Sequence, residues 1–237
     1  MKSLSTENYI KAIYQLQEGQ NGTPASTSSL ASHLGIAAAS VTGMLKRLSA
    51  TDPKLVEYTP YGGASLTSAG EKMALELIRH HRLIESYLCQ ALGYTWDNVH
   101  LEAEHLEHVI SEELEERLAS ALGDPLTDPH GDPIPDREGH IEQPDYLPLT
   151  QLSKGQPASI RRITRQEPEL LRYLAELGLT LSTRVQVVSK APFNGPVSLS
   201  VQSHPGSVLA LGRDITDKIL VLPLSGSAVE VADGKSN

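Results

Sequence analysis

The sequence predicts a mainly α-helical protein with small β parts: a winged helix-turn-helix, a helical middle region and a small C-terminal β-barrel. Apolar residues recur at helical spacing through most of the first 122 positions, and short alternating strands follow from residue 149. A segment with six prolines and seven acids separates the two patterns. The expected regions are therefore residues 1–72, 73–123 and 149–237, with residues 124–148 as an extended linker.

The N-terminal region shows the order of elements of a helix-turn-helix. A first helix ends at the loop Asn21-Gly22-Thr23-Pro24. Residues Ser28 to Leu34 predict a short helix, Gly35 its end, and Ala38 to Ala50 a longer second helix.

The second helix of this pattern is a candidate DNA-reading element. Small and hydroxylated side chains at its start would let it approach the major groove, and a basic pair could reach phosphate. These residues are Ala38, Ala39, Ser40, Thr42, Gly43, Lys46 and Arg47. An ordinary helical hairpin would show the same spacing. Two short strands, at 55–58 and 64–67 around Tyr61-Gly62-Gly63, predict a wing and favour DNA binding.

The middle region predicts two long helices with histidine and glutamate on shared faces. Ser68-Ala-Gly-Glu71 forms a capping box that opens the first helix, and the second runs from about Trp96 to Leu122. His81 and Glu85 lie one turn apart on the first helix. On the second helix four residues share a face: His100, Glu104, Glu107 and His108.

This set of side chains predicts a site for one or two divalent ions. Carboxylate oxygens and imidazole nitrogens, without thiolate, favour Mn²⁺ or Fe²⁺ over a softer ion. A solvated helix face would explain acids alone, but it does not explain three histidines in phase with the glutamates. His80 and His105 lie off these faces and are expected at the surface.

Charge is distributed unevenly along the chain, whose formal net charge is −9. Residues 73–148 hold seventeen acids against four basic residues, whereas both ends carry a small positive balance. This distribution suits cation binding in the middle and polyanion binding at the ends. A lone cysteine, Cys89, and the absence of a long apolar run predict a cytoplasmic protein that is not associated with a membrane.

The C-terminal region predicts a small β-barrel of roughly 80 residues. One helix, from Glu167 to Leu177, interrupts the strands and ends at Gly178. The strands are expected at residues 158–163, 184–188, 197–201 and 219–222. Enzyme signatures are weak, since the chain has no glycine-rich phosphate loop, no His-Glu-x-x-His and no Gly-x-Ser-x-Gly.

Three phrases resemble the diphtheria toxin repressor family of iron- and manganese-dependent regulators. They are Thr6-Glu7-Asn8-Tyr9-Ile10, His81-Arg-Leu-Ile-Glu85 and Val99-His100-x₃-Glu104-x₂-Glu107-His108. The resemblance covers the whole chain. It implies a winged-helix domain, a helical dimerisation domain and a C-terminal SH3-like domain of the FeoA type.

The resemblance also implies two metal sites. The primary, activating site would consist of Asn8, Glu104, Glu107 and His108. A second site would consist of His81, Glu85, His100 and Glu167. One ion bonded to both Asn8 and the helical domain would fix the two DNA-binding heads of a homodimer at the spacing of operator half-sites.

Several positions depart from the family pattern. Glu104 stands where iron-type members carry cysteine, which is similar to the manganese-type members. Asn8 replaces Met or Asp, and Lys11 stands where some manganese-type members have a glutamate ligand. Leu170 replaces a polar second-site ligand, and Gly43 replaces a base-contacting residue, so the operator sequence does not carry over.

The implied function is repression of metal-uptake genes by a homodimer that binds a palindromic DNA operator with Mn²⁺, or Fe²⁺, as the co-repressor. Two alternatives stay open at this point. A metal-dependent hydrolase would use the His/Glu cluster for catalysis, and an architectural DNA binder would need no metal.

Overall fold

The computed structural model describes residues 4–19, 22–142 and 144–224. Asn21, expected in the loop after the first helix, lies outside these residues. The chain forms two compact units. The first runs to Ile84 and adds Glu102–Pro125 and Ile134–Ile141, and the second comprises Glu85–Leu101, Leu126–Pro133 and the residues from Glu142 onward.

The first unit begins with a winged helix-turn-helix. Its elements are α1 (Leu4–Glu18), α2 (Thr27–Leu34), α3 (Ala38–Leu48), β1 (Val56–Thr59) and β2 (Gly63–Leu66). The Ser26 hydroxyl caps α2 by accepting a hydrogen bond from the amide of Ser29 at 3.0 Å. Gly35 ends α2 at φ 66°, a conformation that glycine adopts without steric cost. Ile10, Ile13 and Leu45 are fully buried and hold the three helices together.

Two helices were expected in the middle region, but three form: α4 (Ser68–Leu92), α5 (Val99–Leu106) and α6 (Glu112–Ala121). The predicted second helix breaks after Leu106 because Ser111 caps a new helix, accepting from the amide of Leu114 at 3.2 Å. The cap of α4 is Thr67 rather than Ser68, since the Thr67 hydroxyl accepts from the amide of Gly70 at 3.2 Å.

The second unit contains a six-stranded antiparallel sheet with the order β3-β8-β4-β5-β6-β7. The strands are β3 (Leu147–Pro148), β4 (Pro157–Ile163), β5 (Arg184–Lys190), β6 (Val197–Val201), β7 (Val208–Leu211) and β8 (Ile219–Pro223). Helices α7 (Pro168–Glu176) and α8 (Arg213–Thr216) complete it. Strands β3 and β7 are additions to the four predicted strands. An aliphatic core that includes Ile160, Leu171 and Val187 fills its interior.

The proline-rich segment differs from the extended linker that the sequence predicts, because several of its side chains are buried. In the second unit, Asp128, His130 and Asp132 are buried. Gly131 has φ 87°, and a Cβ at this position would collide with the carbonyl of Arg161. In the first unit, Ile134 packs in a small apolar cluster. Backbone packing and polar contacts, rather than a long apolar run, fold this segment.

Within the described part of the chain, no helix combines the length and the apolar character that a membrane span needs.

Candidate metal centres

The first centre, made of Glu7, Lys11, His81, Glu107 and His108, lies where α1 meets α4 and the end of α5. Glu107 is its middle, with a side chain only 2 % exposed. The Lys11 ammonium donates to both carboxylate oxygens of Glu107, at 2.8 and 2.6 Å. The Nδ1 atom of His81 lies 2.5 Å from Glu107 Oε2.

The winged-helix head contributes to this centre through Glu7, a residue that the sequence reasoning did not single out. The Glu7 carboxylate lies 2.7 Å from His108 Nδ1. Asn8, the ligand implied by the resemblance, has an exposed side chain that lines a groove of about 680 Å³ between α1 and α3. Glu7 and Lys11 are one helical turn apart, so they reach the centre from the same face of α1.

The electrostatics of Glu107 favour its charged form. Burial acts to raise the pKa of this carboxyl, but the His81 hydrogen bond and the Lys11 ammonium outweigh it and hold the pKa below its ordinary value. Glu104 lies on α5, three positions before Glu107, and is exposed. Glu107 is therefore the buried anchor of the centre, whereas Glu104 is an exposed carboxylate.

His80 was expected at the surface, and this expectation was wrong: its side chain is buried. Its Nε2 lies 2.9 Å from the Glu115 carboxylate, and its Nδ1 lies 3.1 Å from the carbonyl oxygen of Glu107. Burial acts to lower the pKa of His80, but the bonds to Glu115 and Glu107 outweigh it and raise the pKa. Arg79 also binds Glu115, at 2.5 Å. This network connects α4 to α6 and holds the backbone of Glu107 in place.

The second centre, made of Glu85, His100, Asp128 and His130, lies in the second unit. Ligand atoms of Glu85, Asp128 and His130 lie within 4.8 Å of one another, and all three residues are buried. The Nδ1 atom of His100 is 3.1 Å from Glu85 Oε1. Asp128 and His130 are new relative to the sequence prediction, because they lie in the segment interpreted as a linker. The signal that could have found them is the Asp-x-His spacing in a proline-rich stretch.

His130 has the geometry of a side chain that can receive a cation. It is fully buried, and its Nε2 bonds the carbonyl of Trp96 at 2.7 Å. Its Nδ1 has no hydrogen-bond partner among the described residues, since Glu85 is 3.6 Å away and Asp128 4.0 Å away. Burial acts to lower its pKa, but the carboxylates of Glu85 and Asp128 outweigh it and raise the pKa to about 9.

Glu167 and Leu170 lie outside these centres, whereas His81 belongs both to the first centre and to a candidate ligand group with Glu85 and His100. Glu167 is an exposed side chain whose carboxylate accepts from Arg165 at 2.7 Å, and this contact lowers its pKa. Leu170 packs against the aliphatic core of the sheet unit. His81 contacts Glu107 in the first centre.

Both centres contain donor atoms of the kind that a divalent transition ion accepts, and in the second centre three of them already lie within 4.8 Å of one another. Their donors are carboxylate oxygens and imidazole nitrogens without thiolate, the set that Mn²⁺ and Fe²⁺ accept. In the second centre the unbonded Nδ1 of a buried imidazole faces two buried carboxylates. A metal ion here would take the place of the imidazole proton, and the same two carboxylates would balance its charge.

Helix α3 presents the predicted DNA-reading residues. Val41, Met44, Leu45 and Leu48 face the core. The side chains of Ala38, Ala39, Ser40, Lys46 and Arg47 are exposed, Gly43 exposes its backbone, and Thr42 is half-buried. At the tip of the wing, Tyr61 is fully exposed. One face of α3 and the wing tip are therefore open to a ligand.

Comparison with known proteins assigns three consecutive regions. Residues 1–64 match the iron dependent repressor N-terminal DNA binding domain, and residues 67–136 match the iron dependent repressor metal binding and dimerisation domain. Residues 147–223 match the FeoA domain. The predicted fold class, with an N-terminal winged helix and a C-terminal SH3-like sheet, is confirmed.

Comparison with individual proteins indicates the same kind of regulator. The HTH-type transcriptional regulator MntR of Oceanobacillus iheyensis is 33% identical over 111 residues, covering 47% of this chain and 72% of that protein. A structure described as a manganese-dependent transcriptional repressor complex with manganese has a TM-score of 0.80 at 35% identity, covering 92% of this chain and 100% of the other. ScaR with bound Cd²⁺ has a TM-score of 0.74 at 30% identity, covering 92% and 99%.

These similarities support a transcriptional regulator over the hydrolase alternative. The chain belongs to the diphtheria toxin repressor family of metal-dependent, DNA-binding transcriptional repressors.

Proposed function

We propose that this protein is a homodimeric repressor of metal-uptake genes in the cytoplasm, and that it binds a palindromic operator when Mn²⁺, or Fe²⁺, occupies its first centre. The observation that carries the proposal is the origin of the side chains at that centre. Glu7 and Lys11 come from α1 of the DNA-binding head, and Glu107 and His108 come from the end of α5.

Metal dependence of DNA binding follows because the proposed ligands come both from the DNA-binding head and from the helices behind it. Glu7, Glu104, Glu107 and His108 would hold the ion, which supplies a divalent charge that several carboxylates can share. Bonds from both α1 and α5 restrict the angle between the head and the helices behind it. The ion can favour DNA binding only by the difference between its binding free energies for two arrangements of the heads, the one that binds DNA and the one that does not. This difference is typically about 1–3 kcal/mol.

DNA recognition is assigned to the exposed face of α3. In a two-fold symmetric dimer, two copies of this helix would enter successive major grooves about one helical turn apart, which favours a palindromic site. Lys46 and Arg47 would contact phosphate, and Ser40 and Thr42 would approach the bases.

The second centre is proposed to hold a further ion, through Glu85, Asp128 and His130, with His100 at its edge. Its ligands lie in the second unit, so an ion there would stabilise the packed proline-rich segment. We assign it a structural role rather than a role in adjusting the DNA-binding heads.

The decisive experiment is fluorescence anisotropy of the protein's own upstream region, titrated with EDTA, Mn²⁺, Fe²⁺ and Zn²⁺. We expect DNA binding with Mn²⁺ and none with EDTA. Glu107→Ala and His108→Ala should lose metal-activated binding yet remain folded dimers. Glu113→Ala is the matched control, since Glu113 is exposed and pairs with Arg117 on the same helix. DNA binding that is unchanged by EDTA would contradict the proposal.

Ion preference can be tested at Glu104. In Glu104→Cys a thiolate replaces a carboxylate that is proposed as a ligand of the ion, which should shift the response from Mn²⁺ towards softer ions. If the relative responses to Mn²⁺, Fe²⁺ and Zn²⁺ stay the same, residue 104 does not determine selectivity.

A further inference from the structure

Lys11 is a buried cation inside the first centre. The residue is only 8 % exposed, and its Nζ atom contacts both carboxylate oxygens of Glu107. The same atom lies 3.3 Å from Nδ1 of His81. A second Lys–Glu pair of the chain, Lys54 with Glu57 on the wing, has the same 2.6 Å contact but is largely exposed.

The position of this ammonium matters because Glu107 is the buried anionic anchor of the centre. Two positive groups that bind one carboxylate repel each other, and the repulsion is strong where water is excluded. A protonated lysine has no lone pair, so Lys11 cannot become a ligand while it carries its charge. A divalent ion at Glu107 must therefore displace the ammonium or share the carboxylate with it.

We propose that Lys11 is a tethered competitor that occupies Glu107 in the metal-free protein and thereby raises the metal concentration needed for activation. The inference rests on the proposed function, since it assumes that Glu107 binds the activating ion. The ammonium also links α1 to Glu107 without metal, but through one flexible side chain, so it restricts the angle of the head less than several metal–ligand bonds would. Metal binding then exchanges one cation for another at the same carboxylate.

This role and a purely structural role predict opposite effects on metal affinity. If Lys11 only stabilises the fold, its removal weakens the metal-free protein and leaves metal binding the same or weaker. If Lys11 competes, its removal also leaves Glu107 buried without its cation. The free energy of the metal-free state then rises relative to that of the metal-bound state. Metal affinity then increases while metal-free stability decreases.

The test uses the full chain and isothermal titration with Mn²⁺, together with thermal unfolding in EDTA. We expect Lys11→Met and Lys11→Gln to bind Mn²⁺ at least tenfold more tightly than the wild type and to unfold at a lower temperature in EDTA. Lys11→Arg, which keeps the charge, should stay near the wild-type affinity. Lys54→Met is the matched control for removal of a lysine from a Lys–Glu pair, and its Mn²⁺ affinity should not change.

A measurement on the wild-type protein tests the same proposal even if the Lys11 variants do not fold. Lysine acetylation by a water-soluble reagent, followed by mass spectrometry, should label Lys11 several-fold faster when Mn²⁺ is added, because the ammonium leaves Glu107. Lys54 should label at a constant rate.

Equal or weaker Mn²⁺ affinity in both neutral variants, or Lys11 labelling that does not rise with Mn²⁺, would overturn the competitor role. Glu107→Gln separates this failure from failure of the proposed function. If Glu107→Gln leaves Mn²⁺ affinity unchanged, the ion does not bind at Glu107 and both inferences fail together. If Glu107→Gln weakens Mn²⁺ binding but the Lys11 variants do not strengthen it, only the competitor role fails.

Discussion

The two centres use the same types of donor but differ in how their charges are balanced. In the first centre, the Lys11 ammonium contacts both oxygens of the buried Glu107, and the His81 ring contacts one of them. In the second centre, the buried carboxylates of Glu85 and Asp128 flank the imidazole of His130 at 3.6 and 4.0 Å, and the facing nitrogen has no hydrogen-bond partner among the described residues.

The difference indicates how one chain can combine a responsive site with a structural one. Metal affinity depends on the free-energy difference between the occupied and metal-free states. A centre whose metal-free state is already paired binds its ion more weakly, and the occupancy then follows the metal concentration. In the second centre an ion would displace only the proton of the His130 imidazole, and the two carboxylates would stay in place to balance its charge.

The largest expected effect concerns the second centre. Asp128→Asn should remove one bound ion per chain and weaken Mn²⁺ binding there at least a hundredfold, because a neutral amide replaces an anionic donor. Asn can keep the turn, in which Asp128 Oδ1 accepts from the amides of His130 and Asp132 at 2.8 and 2.9 Å. Elemental analysis of the dialysed protein gives the stoichiometry. Asp124→Asn, at an exposed position, is the control; equal ion content in the two variants would contradict the second centre.

The next effect is a pH dependence of the metal-free protein. The pKa of His130 is raised to about 9, so its contribution to stability is complete below the unfolded value of about 6.5 and is lost as pH rises through 9. The loss should be on the order of 3 kcal/mol in the free energy of unfolding. Urea unfolding in EDTA from pH 6 to 9.5 measures it. His130→Gln should reduce this loss, whereas His140→Gln, at an exposed histidine, should not; identical profiles would exclude His130 as the cause.

A smaller effect on Mn²⁺ binding should distinguish Glu7 from Asn8, its neighbour on α1. Because Glu7 contacts His108 and Asn8 lines the groove towards α3, Glu7→Gln should weaken Mn²⁺ binding at the first centre roughly tenfold, a cost typical of one charged hydrogen-bond partner. Asn8→Ala should change it less than about twofold on the same scale. Titration calorimetry of both variants decides between them. The reverse order would favour the ligand that the family resemblance implies.

The smallest expected effect is at Glu167. Its carboxylate is exposed and paired with Arg165, so Glu167→Ala should leave the Mn²⁺ affinity of both centres within about twofold, as for most exposed ion pairs. Calorimetry with the full chain measures this. A clear loss of one binding event would show that Glu167 reaches a centre in the metal-bound state.

Local sequence patterns predicted the parts of the molecule that depend on neighbouring residues. The helix-turn-helix, the wing, the long α4 and most barrel strands follow from periodicity and turn residues within windows of about ten positions. The ligand set of Asn8, Glu104, Glu107 and His108, which the family phrases imply, stays a prediction. In the structure the residue of α1 that contacts His108 is Glu7, and sequence alone does not distinguish Glu7 from its neighbour Asn8, because the rotation of α1 decides which side chain faces His108.

Tertiary structure alone decided the contacts that join distant parts of the chain. His80 and Glu115 are 35 positions apart, and Lys11 and Glu107 are 96 apart, so no local pattern contains either pair. Asp128 and His130 lie in a segment whose composition is typical of a linker, and they become part of a buried centre only because the chain returns to α4 there. Helix faces are determined by spacing along the sequence, whereas the partner of each face depends on how the helices pack.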